Sequence, residues 1–219
     1  MNLIGFDFSI NKPAACVWAH DKYHFYGWPY KPQKKLPGLY KSADVHILER
    51  TDDKIKGDNV SSKMRYEVKN ARYLAELLYE DLNEFLDPDT YIGFEGMSYG
   101  SSGDVVLQLG GYKYMIMDVF SKIVPLENMF TYAPTTVKKT AGCSKRGLGK
   151  HAMIEAFMAS PCDHLLRHSL NFNKFVFMKK GHKNFVDHLD DLVDAYYVLE
   201  TLREKEFDSV YLRNSNSIR

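Results

Sequence analysis

Two short apolar runs in this chain each end on an acid. The first is Leu3-Ile4-Gly5-Phe6, which meets Asp7; the second is Tyr91-Ile92-Gly93-Phe94, which meets Glu95. Runs of this length and composition read as buried strands. An ionised carboxylate in a low-dielectric setting is costly unless it is paired, hydrogen-bonded or set on a metal. After Asp7 come a turn-like Ser9-Ile10-Asn11-Lys12-Pro13 and a second apolar run, Ala14-Ala15-Cys16-Val17-Trp18. Asp7 therefore lies near the end of the first strand of a hairpin. A carboxylate bonded to its own turn would explain Asp7 taken alone.

The rest of the chain alternates strands and helices. A third strand is expected near Val45–Arg50, within a Pro- and Gly-interrupted stretch over 20–58. From Ser61 the period becomes helical: Val68, Ala71, Leu74, Ala75, Leu78, Leu82, Phe85 and Leu86 recur at 3.6-residue spacing, with Ser61 or Ser62 as cap and Pro88 as stop. Further helices are predicted from about Gly103 to Ile123, Thr135 to Thr140, Gly149 to Met158 and Phe185 to Lys205, with a strand near Met129–Ala133. This order predicts an α/β fold, a mixed β-sheet with helices on both faces and insertions near 20–60 and 160–185. A single domain over 1–205 and a polar tail over 206–219 fit the 219 residues. Ligand sites in such sheets gather at the carboxyl ends of strands, where Asp7 and Glu95 both lie.

A third acidic feature is Asp187-His188-Leu189-Asp190-Asp191-Leu192-Val193-Asp194-Ala195. On a helix, Asp187, Asp191 and Asp194 share one face, with Asp190 beside them. Like charges at this spacing repel, so the cluster costs stability unless something offsets it. The helix macrodipole favours acids in a first turn, which accounts for Asp187 and Asp190 better than for Asp194. Carboxylates from two strand ends and one helix suit hard divalent cations, and Mg²⁺ takes oxygen ligands while leaving room for a phosphate. Two such ions would assist phosphodiester hydrolysis.

These residues resemble a known family. Asp7, Glu95 and the Asp191-Leu-Val-Asp194-Ala pattern resemble the four catalytic acids of RuvC-type Holliday junction resolvases, which have the RNase H-like fold. The run SGDVVLQLGGYK from Ser102 resembles the helix that follows the family's glutamate. The run YAPTTVKKTAG from Tyr132, with Lys150 opening a helix, resembles its basic segment. The resemblance is strongest over 66–159, 1–18 and 187–202; the extra material in 20–60 and 160–185 departs from it. It implies a metal-dependent endodeoxyribonuclease that cuts branched DNA, above all four-way junctions, in pairs, leaving 5′-phosphate and 3′-hydroxyl ends. Asp7, Glu95, Asp191 and Asp194 would be both catalytic residues and metal ligands, with Asp190 a rival for Asp191. Two Mg²⁺ ions per site, replaceable by Mn²⁺, and a homodimer would follow, with no nucleotide cofactor. Size and divergence suggest a phage-type member, acting in a bacterial host's cytoplasm.

Charge distribution fits a DNA partner better than net charge does. The formal charge is only +1, yet Lys138, Lys139, Lys145, Arg146 and Lys150 share 135–151 with no acid, and Lys174, Lys179, Lys180 and Lys183 share 171–185 with none. Lysines near phosphate add salt-dependent affinity, whereas a plain solvated surface is the alternative. Gly142, Gly147 and Gly149 serve either phosphate approach or turns. The aromatic and lysine-rich YHFYGWPYKPQKKLPGLYK over 23–41 would either stack on unpaired bases or face the core. Met97, Tyr99 and Ser101 follow Glu95, where the resemblance places a loop that enters the junction. Val106, Leu109, Ile116, Val119 and Ile123 form an apolar stripe, for the core or for a second subunit. His188 packs or moves protons. Cys143, Cys162, His164 and His168 match no standard zinc spacing.

Three cysteines without CxxC spacing indicate a reducing, cytoplasmic setting, and no signal peptide, membrane span or membrane partner is expected. Rival readings are a terminase-type or less selective nuclease of the same fold, and a catalytically inactive DNA-binding module. An actin-like ATPase would need glycine after the acid, and a DnaQ-like exonuclease a second acid where Ser9 stands.

Overall fold

The computed structural model describes residues 1–30, 40–41, 44–48, 50, 59–97, 103–145, 150–162, 176–179, 182–185 and 189–208. The opening hairpin forms as the alternation predicts. Strand β1 (Leu3–Asp7) pairs antiparallel with β2 (Ala14–Ala19), Asp7 opposite Ala14. Ser9 Oγ holds the turn by accepting from the Lys12 amide at 3.0 Å. The chain then doubles back into β3 (Lys22–Gly27), a strand absent from the sequence expectation. The turn into it uses His20 and Asp21, both at positive φ. Two such residues are what a tight primed hairpin turn requires, and they usually advertise themselves as Asn-Gly. Without glycine the signal was hidden.

Strands β4 (Tyr40–Lys41) and β5 (Val45–Ile47) complete one side of the sheet, β5 stopping short of the expected Arg50. Helix α1 (Val60–Leu82) starts earlier than predicted. Its cap is Asn59, whose Oδ1 accepts from the Ser62 amide at 2.9 Å while Ser62 Oγ accepts from the Asn59 amide at 3.1 Å. This reciprocal capping box makes Ser62 the third helical residue, not the cap. A 3₁₀ turn (Asn83–Phe85) ends the helix before Pro88 is reached. Then follow β6 (Tyr91–Glu95), α2 (Gly103–Phe120), β7 (Met129–Tyr132), α3 (Pro134–Thr140) and α4 (Lys150–Met158). A separate hairpin, β8 (Val176–Lys179) with β9 (His182–Phe185), lies in the expected irregular segment. Helix α5 (Leu189–Leu202) begins later than predicted because Phe185 belongs to β9; it runs on into a π-helical turn, Arg203–Asp208.

The sheet order is β4-β5-β3-β2-β1-β6-β7, with β1, β6 and β7 mutually parallel and β2 antiparallel to β1. Each face has its own core. Ile4, Phe6, Ile92 and Phe94 pack with α1 and α2 residues such as Leu74, Leu78 and Phe120. Phe6 and Phe94 stack at 5.3 Å, and Phe120 meets Phe6 edge-on at 5.8 Å. The other face, Leu3, Cys16 and Phe25 among others, packs under α3, α4 and α5.

One surface expectation changes, and one open alternative closes. Val68, placed on the buried stripe of α1, is exposed. Phe25, Tyr26 and Trp28 are core residues rather than a DNA-stacking surface, with Trp28 Nε1 donating to Asp81 at 2.6 Å. Residues 31–39 of that aromatic stretch lie outside the described residues.

Candidate active site

Side chains alternate along a strand, so Asp7 shares a face with Leu3 and Gly5, and Glu95 with Tyr91 and Gly93. That face is the one α5 covers. The parallel register aligns Phe6 with Phe94, so Asp7 and Glu95 leave the same end of adjacent strands. Neighbouring strands lie about 4.8 Å apart.

Glycine sets where α5 sits. A Cβ on Gly5 would run into Ala195 O and Leu199 N, so the helix backbone rests directly on β1 there. A Cβ on Gly93 would meet Val198 Cγ1 at 3.3 Å and Leu202 Cβ at 3.4 Å. The Arg203 guanidinium lies 5.1 Å from the ring of Trp18, which pairs with Leu3. Helix numbers therefore rise as strand numbers fall, and α5 runs antiparallel to β1. Two helix rows result. Asp191, Ala195 and Leu199 follow β1, while Asp194, Val198 and Leu202 follow β6. One helix step of four residues covers about 6 Å and one same-face strand step about 6.7 Å. The first turns of α5 thus lie over the acid-bearing strand ends, Asp191 on the Asp7 row and Asp194 on the Glu95 row.

Burial grades the acids. Asp7 is 9% exposed and Asp191 8%, whereas Glu95, Asp190 and Asp194 are half-buried. Asp190 and Asp191 occupy the first turn of α5, where the macrodipole favours negative charge. Asp187, expected on the same helix face, and His188 lie outside the described residues. As a donor set, these carboxylates suit a hard divalent cation. As the side chains stand, no three His, Cys, Asp or Glu residues among the described residues are grouped closely enough to hold a metal ion.

Sequence reasoning gave no role of their own to the two residues that end the SGDVVLQLGGYK run on α2. Lys113 is 6% exposed, and its Nζ donates to the Glu95 carbonyl oxygen at 2.8 Å. Burial pushes its ammonium down to about 8, with the nearby Glu95 charge opposing that shift. Tyr112 lies 6.2 Å from the ring of Phe8, the residue after Asp7, and its hydroxyl accepts from Asn70 Nδ2 of α1 at 2.8 Å. The available signal was a lysine inside the otherwise apolar Tyr112–Met117 stretch.

The basic residues are spread more widely. Lys138 and Lys139 are exposed in the last turn of α3, and Lys145 is exposed beyond it. The Thr140 hydroxyl donates to Glu204 at 2.8 Å, and Lys139 is near enough to help hold the Glu204 carboxyl down. That places Lys139 about 20 Å along the helix axis from Asp191. Gly142, at φ +70, closes α3: its amide donates to Lys139 O and the Cys143 amide to Lys138 O. This is a Schellman turn, so the turn reading holds for Gly142. Arg146, Gly147, Gly149, and the side chain of Lys150 lie outside what is described, as do His164 and His168. Cys143 and Cys162 are buried free thiols whose burial raises their pKa.

No protein-family model matches the chain, and no curated protein does. Among solved structures it is similar to T. thermophilus RuvC in complex with a Holliday junction substrate, at 13% identity and TM-score 0.50, over 94% of this chain and 96% of that one. It is also similar to the yeast mitochondrial Holliday junction resolvase Ydc2, at 13% identity and TM-score 0.52, over 99% of this chain and 84% of that one. At these identities the likeness is one of fold, and the chain has the mixed-sheet, RNase H-like α/β architecture of the RuvC-type proteins.

Proposed function

We propose that this protein is a structure-selective DNA endonuclease that resolves four-way junctions, using divalent metal held by Asp7, Glu95, Asp191 and Asp194. One observation carries the reading: two acids end adjacent parallel strands beneath the acidic first turns of α5, in a fold shared with two junction resolvases. Asp7 and Glu95 are fixed by the strands, whereas Asp191 and Asp194 approach from the helix. Asp191 is the better partner than Asp190, because it is buried on the row that follows β1. A bound Mg²⁺ or Mn²⁺ would polarise the scissile phosphate and assist deprotonation of the attacking water. The chain's own part is to gather carboxylates at one sheet end and to offer Lys138, Lys139, Lys145, Arg146 and Lys150 to the DNA backbone.

Paired cutting needs two sites. Val60, Met64 and Val68 form an exposed apolar row on α1, and Leu107 and Tyr114 are exposed on α2, which packs against it. We assign this face to a second copy of the chain; Ile116 and Val119 of the stripe expected on α2 are instead buried in the core.

The test is cleavage of a labelled four-way junction and a matched linear duplex in Mg²⁺. Wild type is expected to cut the junction in symmetric pairs, and Asp7→Asn to lose about 100-fold or more in rate, roughly 3 kcal/mol of barrier. Equal cutting of both DNAs would favour a less selective nuclease. Binding without cutting, in Mg²⁺ and in Mn²⁺, would favour a DNA-binding module.

A further inference from the structure

Lys113 occupies a place where a methionine would pack with less penalty. Long cationic side chains usually extend their heads to water, but this one is buried and turned toward the strand end that carries Glu95. Its Nζ lies 5.6 Å from the centroid of the Phe94 ring and donates to the Glu95 carbonyl at 2.8 Å. The N–H of the same peptide unit, that of Gly96, donates to Tyr132 O at 2.6 Å. One peptide plane is thus gripped from two sides, by α2 and by β7. The grip is close: a Cβ on Gly96 would stand 3.0 Å from Tyr132 O. Met97 then lies along α2, its methyl 3.5 Å from where a Gly110 Cβ would be, one turn before Lys113.

We propose that Lys113 is a positioning residue for the metal-ligand set. By holding the Glu95 carbonyl, it fixes the Glu95–Gly96 peptide and so the direction in which the Glu95 carboxylate leaves the strand. Lys113 touches neither ion nor DNA in this account; it acts through Glu95. The proposal rests on the reading of Glu95 as a metal ligand.

The experiment compares full-length wild type, Lys113→Met, Lys113→Arg and Glu95→Gln. Mn²⁺ affinity is read by electron paramagnetic resonance, Gly96 amide exchange by mass spectrometry or NMR, and junction binding in chelator by gel shift. Lys113→Met is expected to weaken Mn²⁺ binding about tenfold, as loss of a group orienting a ligand does. Its Gly96 amide should exchange about tenfold faster while junction binding stays unchanged. Lys113→Arg, which keeps a donor, should recover Mn²⁺ affinity to within about threefold. If Glu95→Gln weakens Mn²⁺ binding while folded Lys113→Met keeps wild-type affinity and Gly96 exchange, the positioning role is overturned and the ligand role of Glu95 stands. If Glu95→Gln binds Mn²⁺ as wild type does, the ligand reading and this proposal fall together. Should Lys113→Met not fold, Lys113→Leu, which likewise removes the donor, carries the same comparison.

Discussion

Gly5 and Asp7 stand on one face of one strand and ask opposite things of α5. Gly5 needs the helix backbone against it, since any Cβ would overlap Ala195 O and Leu199 N. Gly5→Ala must therefore push the helix outward or strain the strand, at a cost of about 3 kcal/mol. Urea unfolding checks this, and an unchanged midpoint would show that α5 does not rest on β1. As a proposed metal ligand, Asp7 would use the helix for its carboxylates, not its backbone. The Gly5 contact sets helix register, and register puts Asp191, rather than Asp190, over β1. Asp191→Asn is expected to lower junction cleavage about 100-fold, and Asp190→Asn by only a few-fold. Equal losses from the two variants would sink the register argument.

At the scale of elements, α2 links the two strand ends. Its Tyr112 meets Phe8 beyond β1, and its Lys113 holds Glu95 at the end of β6. The buried lysine makes the stability of this region depend on pH. Its folded pKa, about 8, lies below the ordinary value of 10.5, so between the two the unfolded chain binds the proton more strongly. The stability of wild type relative to Lys113→Met should therefore rise as pH rises from about 8 to about 10, by up to about 3 kcal/mol, while the opposing contribution of the buried thiols Cys16, Cys143 and Cys162, whose pKa is raised by burial, cancels in the difference. Denaturant melts of both proteins across that window decide it. A difference between the two proteins that stays flat across that window would mean that Lys113 is solvated.

At the scale of the whole molecule, the exposed rows on α1 and α2 lie on the helical layer opposite α5. A second copy docked there leaves each acidic site open on its own far face, which suits two cuts in a symmetric substrate. Light scattering should give a mass about twice 25.3 kDa. Leu107→Glu combined with Tyr114→Glu should give monomers and uncouple the paired nicks, because two charges at a former apolar contact are costly to desolvate. A wild-type monomer would remove the dimer from the account. Among the described residues no helix is long and apolar enough to cross a membrane.

What the sequence by itself determined is local. Period-two and period-3.6 patterns placed β1, β2, β6, α1 and α2 within a few residues, and proline and glycine marked several of their ends. The same local reading picked out Asp7 and Glu95, because an acid at the end of an apolar run is conspicuous without any partner. It missed β3, whose turn uses His20 and Asp21 at positive φ instead of glycine. It also carried α5 back to Phe185, which pairs in β9. Only the tertiary structure decided which acids of α5 overlie which strand, why Lys113 is buried, and where Lys139 stands relative to Asp191. Periodicity records which face of an element is apolar, but the seating of one element on another is fixed by contacts between distant residues. Here that contact is a glycine on β1 meeting the backbone of a helix nearly two hundred residues later.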